Sequence, residues 1–328
     1  MCAHRAARRE TLGNLLSSLQ EELNLNPSQP LFKLTYASSP NWPYYLTETQ
    51  PSSSTLKIAI LDSSFNPPTK AHMQLLLESL KNHSNTKTNN NSKFFDACLL
   101  LYAIKNADKT PSSSDAGPVD RILMMESLAS QIHSTEIEQN IATGVITHPL
   151  FMDKAKAIHS YFNNNNNNNK LTSYSIDSSI DSSSIIINYS SQISLYFILG
   201  FDTVIRLFNP QYYSNIYKEL DSFFKISNII CANRDGYGGR ESEEKFFQSD
   251  ILKEIIGESE KIIRVKLDDN VAKISSTNVR KAIINIEQEN DGGDDDKREE
   301  MIKSILYDFC PESVAEFVFQ EKLYRNTR

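Results

Sequence analysis

The sequence has little cysteine and no long apolar run. Its four cysteines lie far apart and none forms a C-x-x-C pair, so we expect reduced thiols rather than a zinc site or a disulfide framework. No apolar stretch approaches the roughly 20 residues that a membrane span needs. The arginine-bearing segment 1–10 lacks the apolar core of a secretory signal. These features predict a protein of the cytoplasm or the nucleus; a mitochondrial presequence is the alternative, against which Glu10, Glu21 and Glu22 argue.

Positive charge is in deficit, and several signatures of nucleotide or metal binding are missing. The chain has 34 Lys and Arg against 41 Asp and Glu, a net charge of −7, so no broad basic surface for nucleic acid is expected. An anionic ligand would need a local positive pocket. The absence of G-x-x-x-x-G-K-S/T excludes a P-loop ATPase. Most of the histidines lack metal-ligand spacing, so no metal site is expected and they are interpreted as surface or loop residues: His4, His83, His133, His148 and His159.

What the chain does contain is an alternation of short apolar runs with helical patterns. Hydrophobic residues make up 39% of 328 residues, which is ordinary for a globular core. Runs typical of buried strands occur at 57–61, 94–102, 194–199, 226–232 and 262–267. Leucine and methionine recur at helical spacing within 73–80 and 121–130. Strands alternating with helices predict an α/β domain with a parallel sheet covered by helices on both faces. Ligands of such sheets bind at the carboxyl ends of the strands.

The ends of this pattern and three insertions have a different character. Leucines at positions 12, 15, 16, 19 and 23 predict an amphipathic helix that docks either on the core or on a protein partner. Residues 26–54 are rich in Pro, Ser and Tyr and are interpreted as an irregular connector. We therefore assign 1–55 to an N-terminal region and 56–328 to one large domain. Low-complexity stretches near 84–92, 163–184 and 288–297 are predicted to be disordered surface insertions.

The first motif with chemical content is the segment Ser63–His72, S-S-F-N-P-P-T-K-A-H, directly after a predicted strand. Two prolines predict an extended turn and then a helix start. Thr69 and His72 are three residues apart at that start and so share one face. Free N–H groups and the helix dipole favour a phosphate there. A hydroxyl and an imidazole aimed at one point therefore suit a bound triphosphate.

The second motif is Ile274–Arg280, I-S-S-T-N-V-R. Ser275, Ser276 and Thr277 offer hydroxyl groups and a cap for a helix that we expect to run from Asn278. Arg280 falls one turn into that helix, and its planar guanidinium matches the geometry of phosphate oxygens. On its own this motif is typical of an ordinary capped helix. Its occurrence together with the first motif makes it a specific indication of phosphate binding.

Together the two motifs resemble the adenylyltransferases that make dinucleotides from nicotinamide or nicotinate mononucleotide. The wider nucleotidyltransferase superfamily shares the T/H-x-x-H signature. Three further stretches agree, namely Leu199–Asp202 with Phe208, Asn106–Lys109 ahead of Arg121 and Met125, and the C-terminal run that contains Pro311, Val314, Phe317, Leu323 and Tyr324. The resemblance covers about 56–324, apart from the insertions.

The resemblance implies a Rossmann-like fold of the nucleotidyltransferase type and transfer of AMP from ATP, with Mg²⁺, to nicotinamide or nicotinate mononucleotide. It implies catalytic roles for Thr69, His72 and Arg280. The ATP-binding residues that it implies are Ser63, Ser64, Phe65, His72, Gly200, Asp202, Arg234, Ser275, Ser276, Thr277 and Arg280. Those implied for the mononucleotide are Asn66, Lys109 and Arg121. A glycine loop at Gly236–Gly239 is either part of the adenine site or a plain turn.

Two departures from the family's pattern bear on the substrate. The family usually has glycine where Ser63 stands, so Ser63 needs a negative φ to let backbone approach a nucleotide without strain. The family also carries a tryptophan that stacks on the pyridine ring, in the stretch that corresponds to about 141–154. Here that stretch has none and the only tryptophan is Trp42; Phe151 or Tyr161 could substitute.

Two other functions stay open at this point. One is adenylyl or cytidylyl transfer to a different phosphate acceptor, such as a pantetheine or alcohol phosphate. The other is a diverged protein that binds or slowly hydrolyses ATP in a regulatory or interaction role. Small-molecule nucleotides are the expected partners, with no nucleic acid and no membrane. A homo-oligomer or a protein partner bound through the N-terminal helix is the further alternative.

Overall fold

Seven strands form one sheet in the part of the chain that the structure describes. The computed structural model describes residues 2–44, 55–81, 94–105, 114–134, 140–167, 192–233, 239–257, 260–289 and 294–325. The strands are β1 Phe32–Ala37, β2 Leu56–Asp62, β3 Ala97–Ala103, β4 Ile141–Ile146, β5 Ile193–Gly200, β6 Ser227–Ala232 and β7 Ile262–Val265. Their order is β1-β4-β3-β2-β5-β6-β7. β1 runs antiparallel to β4, and all other neighbours are parallel.

Helices cover both faces of this sheet, so the predicted α/β fold with a mostly parallel sheet is confirmed. In the described residues the helices are α1 Cys2–Leu25, α2 Lys70–Lys81, α3 Pro118–His133, α4 Phe151–Asn167, α5 Phe201–Leu207, α6 Ile216–Ile226, α7 Gly239–Phe247, α8 Asp250–Ile256, α9 Asp269–Ala272, α10 Ser276–Glu289, α11 Asp295–Phe309 and α12 Glu312–Gln320, with a 3-10 turn at Pro210–Tyr212. None of them combines the length and the apolar content of a membrane span.

The central strand β2 shows why the core has two layers. Ile58 and Ile60 face one apolar cluster, whereas Ala59 and Leu61 face the other, because side chains alternate along a strand. Because apolar side chains cover both faces of β2, its sequence is one continuous apolar run. The chain order runs outward from β2 through β3 to β4 on one side and from β5 through β6 to β7 on the other. The order reverses between β2 and β5, and sheets of this kind bind ligands at that point.

The N-terminal helix is confirmed and lies on the core. α1 buries Leu12, Leu19 and Leu23. Its arginines bind acidic side chains of α3: Arg8 binds Glu126 at 2.5 Å and Arg9 binds Asp120 at 2.5 Å. Of the two alternatives predicted for this helix, docking on the core is the one that the structure shows.

The interpretation of residues 26–54 as an irregular connector is wrong for its described first part. β1 pairs with β4 through the register Phe32↔Ile146 to Ala37↔Ala142, and Trp42 and Tyr44 are buried. β1 was missed because polar residues interrupt its apolar pattern. β4 was also missed, because Thr143 and Gly144 break its run. Gly144 is required there: a Cβ atom would lie 2.6 Å from the Phe32 ring.

The edges of two predicted disordered insertions are helical. α4 continues into the asparagine run as far as Asn167. α10 extends to Glu289, and α11 begins at Asp295, where the Asp294 side chain accepts from the N–H groups of Asp296 and Lys297. Acidic residues at a helix start satisfy free N–H groups and suit the helix dipole. The prediction is therefore wrong at these edges; the rest of 84–92, 168–184 and 290–293 lies outside the described residues.

Candidate active site at the carboxyl ends of the strands

The first-motif turn, residues 63–72, leaves the end of β2 and holds the imidazole of His72 from both sides. The Ser63 Oγ lies 2.9 Å from Nε2, and the Thr69 Oγ1 lies 2.8 Å from Nδ1. The Thr69 backbone N–H also donates to Nδ1 at 3.0 Å. Because that donor must meet an acceptor, the neutral ring carries its proton on Nε2 and donates it toward Ser63. His72 as a whole is half-buried.

The structure separates the predicted roles of Thr69 and His72. Thr69 is fully buried, so its hydroxyl orients the imidazole and does not face a ligand. The prediction that both side chains aim at the same phosphate stays a prediction, and the burial of Thr69 counts against it for that residue. Thr69 and His72 do lie together at the start of α2, as their spacing indicated.

Backbone conformation along the first-motif turn agrees with a close approach by a ligand. Ser63 is not among the described residues with a positive φ, so the serine needs no strained conformation. Phe65, in contrast, has φ 46° and a fully buried side chain that packs 5.5 Å from the His72 ring. A non-glycine residue in this region is uncommon and concentrates at functional sites. Phe65 could meet a nucleotide only through its backbone.

The capped turn, residues 275–280, docks on the first-motif turn across 209 residues of chain. Ser275 Oγ accepts from the Asn278 N–H at 3.2 Å and caps α10, which begins at Ser276, two residues before the predicted start. Ser276 Oγ donates to the Pro67 carbonyl at 2.7 Å, and Arg280 donates to the Asn66 carbonyl at 2.6 Å. Thr277 is exposed. The two motifs therefore lie in direct contact.

Arg121, predicted for the mononucleotide, lies beside Arg280 at the start of α3. It donates to the Ala116 carbonyl at 2.8 Å and lies 5.6 Å from the Tyr102 ring. Burial of the Tyr102 hydroxyl raises its pKa. Arg121 lowers this pKa and Asp115 raises it, and the net pKa of Tyr102 is above its ordinary value. Asp115 contacts both arginines, and no sequence pattern signalled it. Asn66 has its side chain turned to Asp115 and to the Ala116 N–H, so it supports the site from within the protein.

The other central strand, β5, ends at Gly200 and leads directly into α5. Gly200 occupies the N-cap position with φ −72° and no side-chain cap. The Asp202 carboxylate, in the first turn, binds Arg206 at 3.0 Å and has a side chain that is 19% exposed. Phe208, part of the family-like pattern, is buried in the core.

A cavity of about 770 Å³ lies at the carboxyl ends of β6 and β7. Its volume falls within the range of roughly 300–1,000 Å³ that is typical of small-molecule sites. It is lined by Cys231, Asn233, Gly239, Glu243, Glu244, Arg264, Val265, Lys266, Asp269, Ala272 and Lys273. Burial raises the pKa of the Cys231 thiol to about 12, so this cysteine stays protonated and is no nucleophile. The predicted residues Lys109 and Arg234 lie outside the described residues.

A buried ion pair under the first-motif turn was not predicted. Lys154 Nζ lies 2.6 Å from Asp62 Oδ2, and the two side chains are 5% and 10% exposed. The ammonium group also lies 4.7 Å from the centroid of the Phe151 ring. Asp62 ends β2 and Lys154 belongs to the first turns of α4. Nothing in the sequence links the two residues, which lie 92 positions apart.

Trp42 is placed where it cannot stack on a ligand of this site. Its indole N–H lies 3.2 Å from the carbonyls of Cys98 and Asn140, which stand at the amino-terminal ends of β3 and β4. The ring is 3% exposed and packs on Phe162. Of the two proposed substitutes, Phe151 follows the carboxyl end of β4, whereas Tyr161 packs edge-on against Phe32 at 5.1 Å.

The sheet order, the first-motif turn and the docked Arg280 define a nucleotidyltransferase. No family model matches the chain. A protein of Schizosaccharomyces pombe named "Putative nicotinamide mononucleotide adenylyltransferase" is 31% identical over 240 residues, which cover 71% of this chain and 78% of that protein. The chain belongs to the nicotinamide mononucleotide adenylyltransferase family.

Two solved structures are more distant. The Plasmodium falciparum nicotinic acid mononucleotide adenylyltransferase complexed with APC has a TM-score of 0.45 at 16% identity and covers 82% of this chain and 97% of its own. A structure described as a "Putative Nicotinate-nucleotide Adenylyltransferase" of Vibrio parahaemolyticus has a TM-score of 0.34 at 16% identity, with coverage of 83% and 98%.

Proposed function

We propose that this enzyme transfers AMP from ATP to the 5′-phosphate of nicotinamide or nicotinate mononucleotide and releases pyrophosphate. The observation that carries the proposal is the His72 imidazole, which is fixed between Ser63 and Thr69 at the switch point of the sheet with Arg280 docked beside it. Family membership supports the same class of reaction.

The proposed reaction needs positioning and neutralisation of charge rather than a covalent intermediate. The mononucleotide phosphate attacks the α-phosphorus of ATP in line, and the bond to the pyrophosphate oxygen breaks. The Nε2–H of His72 exchanges its hydrogen bond to Ser63 for one to an α-phosphate oxygen on which negative charge grows. Arg280, the Ser275 hydroxyl and the Thr277 hydroxyl hold the β and γ phosphates of ATP. Ser276 is already bonded to Pro67 and contributes through its backbone.

The adenosine and mononucleotide halves take opposite sides of the switch point in this proposal. Adenosine lies toward Gly200, Asp202 and the cavity at the ends of β6 and β7. The phosphates contact the backbone of Ser63, Ser64 and Phe65. Arg234 is a further contact to ATP that the family resemblance implies. The mononucleotide phosphate lies toward Arg121, and its ring lies near Phe151. Lys109 is a further contact to this phosphate that the family resemblance implies.

Mg²⁺ fits this site as a companion of ATP. Among the described residues there is no group of three or more His, Cys, Asp or Glu side chains that could hold a metal. In this proposal the ion is bound mainly by phosphate oxygens and water. When bound, it would neutralise charge on the triphosphate.

The test is product analysis by mass after incubation with ATP, Mg²⁺ and either mononucleotide. A dinucleotide plus pyrophosphate, absent with His72→Ala, is the expected result, and the two parallel reactions report which pyridine is preferred. ADP and phosphate, or unchanged ATP that still binds in calorimetry, would refute the transferase proposal for these substrates and support the diverged ATP-binding protein.

A second candidate is transfer to a different phosphate acceptor, which the burial of Trp42 favours because no tryptophan is left to stack on a pyridine. A screen with pantetheine phosphate and alcohol phosphates in the same mass assay separates the two. Cytoplasmic or nuclear residence and a protein partner or homo-oligomer stay predictions; imaging of the tagged protein and light scattering would test them.

A further inference from the structure

A single carboxylate, Asp115, stands between the two arginines of the site. Its Oδ2 lies 3.4 Å from a terminal nitrogen of Arg121, and its Oδ1 lies 3.4 Å from the Nε of Arg280. The same Oδ1 accepts a hydrogen bond of 2.7 Å from the Asn66 side-chain amide. The side chains of Asp115, Arg121 and Arg280 are only 16%, 11% and 18% exposed.

Each guanidinium is also tied to the backbone of the first-motif turn. Arg280 donates to the Asn66 carbonyl at 2.6 Å, and Arg121 lies 3.4 Å from the Ser64 carbonyl. A guanidinium is a planar set of donors, so two fixed contacts define its plane. Asp115 supplies the contact that the two arginines share, and the carbonyls supply one contact each.

The charges explain why a carboxylate is needed at this place. Two positively charged guanidinium groups repel one another when they are partly buried. One carboxylate between them leaves a net single positive charge, which still attracts an anion. The neighbouring acid Asp120 is engaged elsewhere, since it binds Arg9 of α1 at 2.5 Å.

We propose that Asp115 is a positioning residue that fixes the guanidinium groups of Arg121 and Arg280 relative to His72. In this arrangement both guanidinium groups contact the phosphates of the reacting nucleotides. This inference rests on the proposed function. Asp115 does not touch the reacting atoms; it acts through the two arginines and through Asn66. If Asp115 had a purely structural role, its contacts would only stabilise the loop before α3.

The decisive experiment is a double-mutant cycle of Asp115→Asn with Arg280→Lys. Asparagine keeps an oxygen for the Asn66 amide and removes the charge. We expect kcat to fall about tenfold or more with the KM for ATP within about threefold, because small misplacements of phosphate-binding groups reduce kcat strongly. In the Arg280→Lys background the same change should cost less than about threefold, because residues that act through one another are not additive.

Asp120→Asn is the matched control, because it removes a neighbouring ion pair that does not reach the site; its kcat should equal that of the native protein. An unchanged kcat in Asp115→Asn, or equal losses in both backgrounds, would overturn the inference. If Asp115→Asn does not fold, Asp115→Glu, which keeps the charge but displaces the carboxylate, is put through the same cycle.

The failure of the proposed function can be distinguished from the failure of this inference. If the native protein makes no dinucleotide, the proposed function fails, and the cycle is measured by calorimetry with inorganic pyrophosphate instead. Asp115→Asn should then change the Kd about fivefold or more in the native background and not in Arg280→Lys. Equal changes in the two backgrounds, or no change in either, would overturn the positioning role.

Discussion

The two halves of the site, the first-motif turn and the capped turn, are built in opposite ways. In the first, Thr69 and Phe65 are buried and the His72 ring is bonded at both nitrogens. In the second, Thr277 is exposed, and the Ser275 hydroxyl accepts from the Asn278 N–H of its own helix. A buried, mutually bonded half is preorganised, whereas an open half can adapt to a ligand. We therefore expect substitution of the fixed His72 to lower kcat and substitution of the exposed Thr277 to act mainly on binding.

The largest effect on stability is expected below the buried half, at Lys154→Met. The change leaves the Asp62 carboxylate without its counter-ion, and breaking such a pair costs about 3–5 kcal/mol. Denaturant unfolding measures it. The control is Lys225→Met, whose partner Asp221 is at 2.7 Å but whose two side chains are 69% and 57% exposed; it should cost under about 1 kcal/mol. Equal losses would show that burial does not distinguish the two pairs.

His72→Ala should separate catalysis from folding. Loss of one donor to a developing charge lowers kcat by about 10²–10³, whereas the free energy of unfolding should change by only about 1 kcal/mol because the ring is half-buried. Steady-state kinetics and thermal unfolding are measured on the same preparation. His133→Ala, at an exposed position on α3, is the control. Parallel losses of activity and melting temperature would assign His72 a structural role.

Thr277→Ala should act on binding in the open half. A neutral hydrogen bond to a ligand contributes about 0.5–1.5 kcal/mol, so the KM for ATP should rise about three- to tenfold. The melting temperature should stay the same, because the side chain is exposed. Thr277→Ser, which keeps the hydroxyl, should retain the native KM. A loss of kcat with unchanged KM would contradict the assignment to ground-state binding.

Ser275→Ala should lower the free energy of unfolding modestly, through loss of the helix cap. An N-cap serine replaced by alanine costs about 0.5–2 kcal/mol, and its replacement by glycine costs only a few tenths. Denaturant unfolding of both variants checks this order. If alanine and glycine cost the same, the bond from Asn278 to Ser275 does not contribute to stability.

Sequence patterns predicted the parts of the fold that depend on local periodicity. The strands that contain Ile58–Leu61 and Leu195–Leu199 are uninterrupted apolar runs, and the start of α2 follows a proline pair. β1 and β4 were not predicted, because each has a polar threonine within its apolar run. The hydroxyl oxygens of Thr35 and Thr143 lie 2.5 Å apart and form a hydrogen bond between the two strands. That pairing is invisible to a pattern read along one segment.

The site was predictable where a motif carried it and unpredictable where a contact joined distant segments. Spacing brought Thr69 and His72 together, but nothing in it showed that Ser63 would bond the opposite nitrogen. Asp115 and Lys154 act through partners far away in the chain, and only tertiary structure identifies such residues. The same reason explains why Asn66 was assigned to a ligand although its side chain is used inside the protein.

The contacts of α1 constrain the order in which parts of the protein can pack together during synthesis. Arg5 and Arg9 bind Glu321 at 2.7 and 2.8 Å, and both guanidinium groups lie over the Phe317 ring. A chain emerges from the ribosome starting at its N-terminus and folds as it appears. Because α1 precedes α12 in the chain, its arginines obtain these partners only after Phe317 and Glu321 have been synthesised.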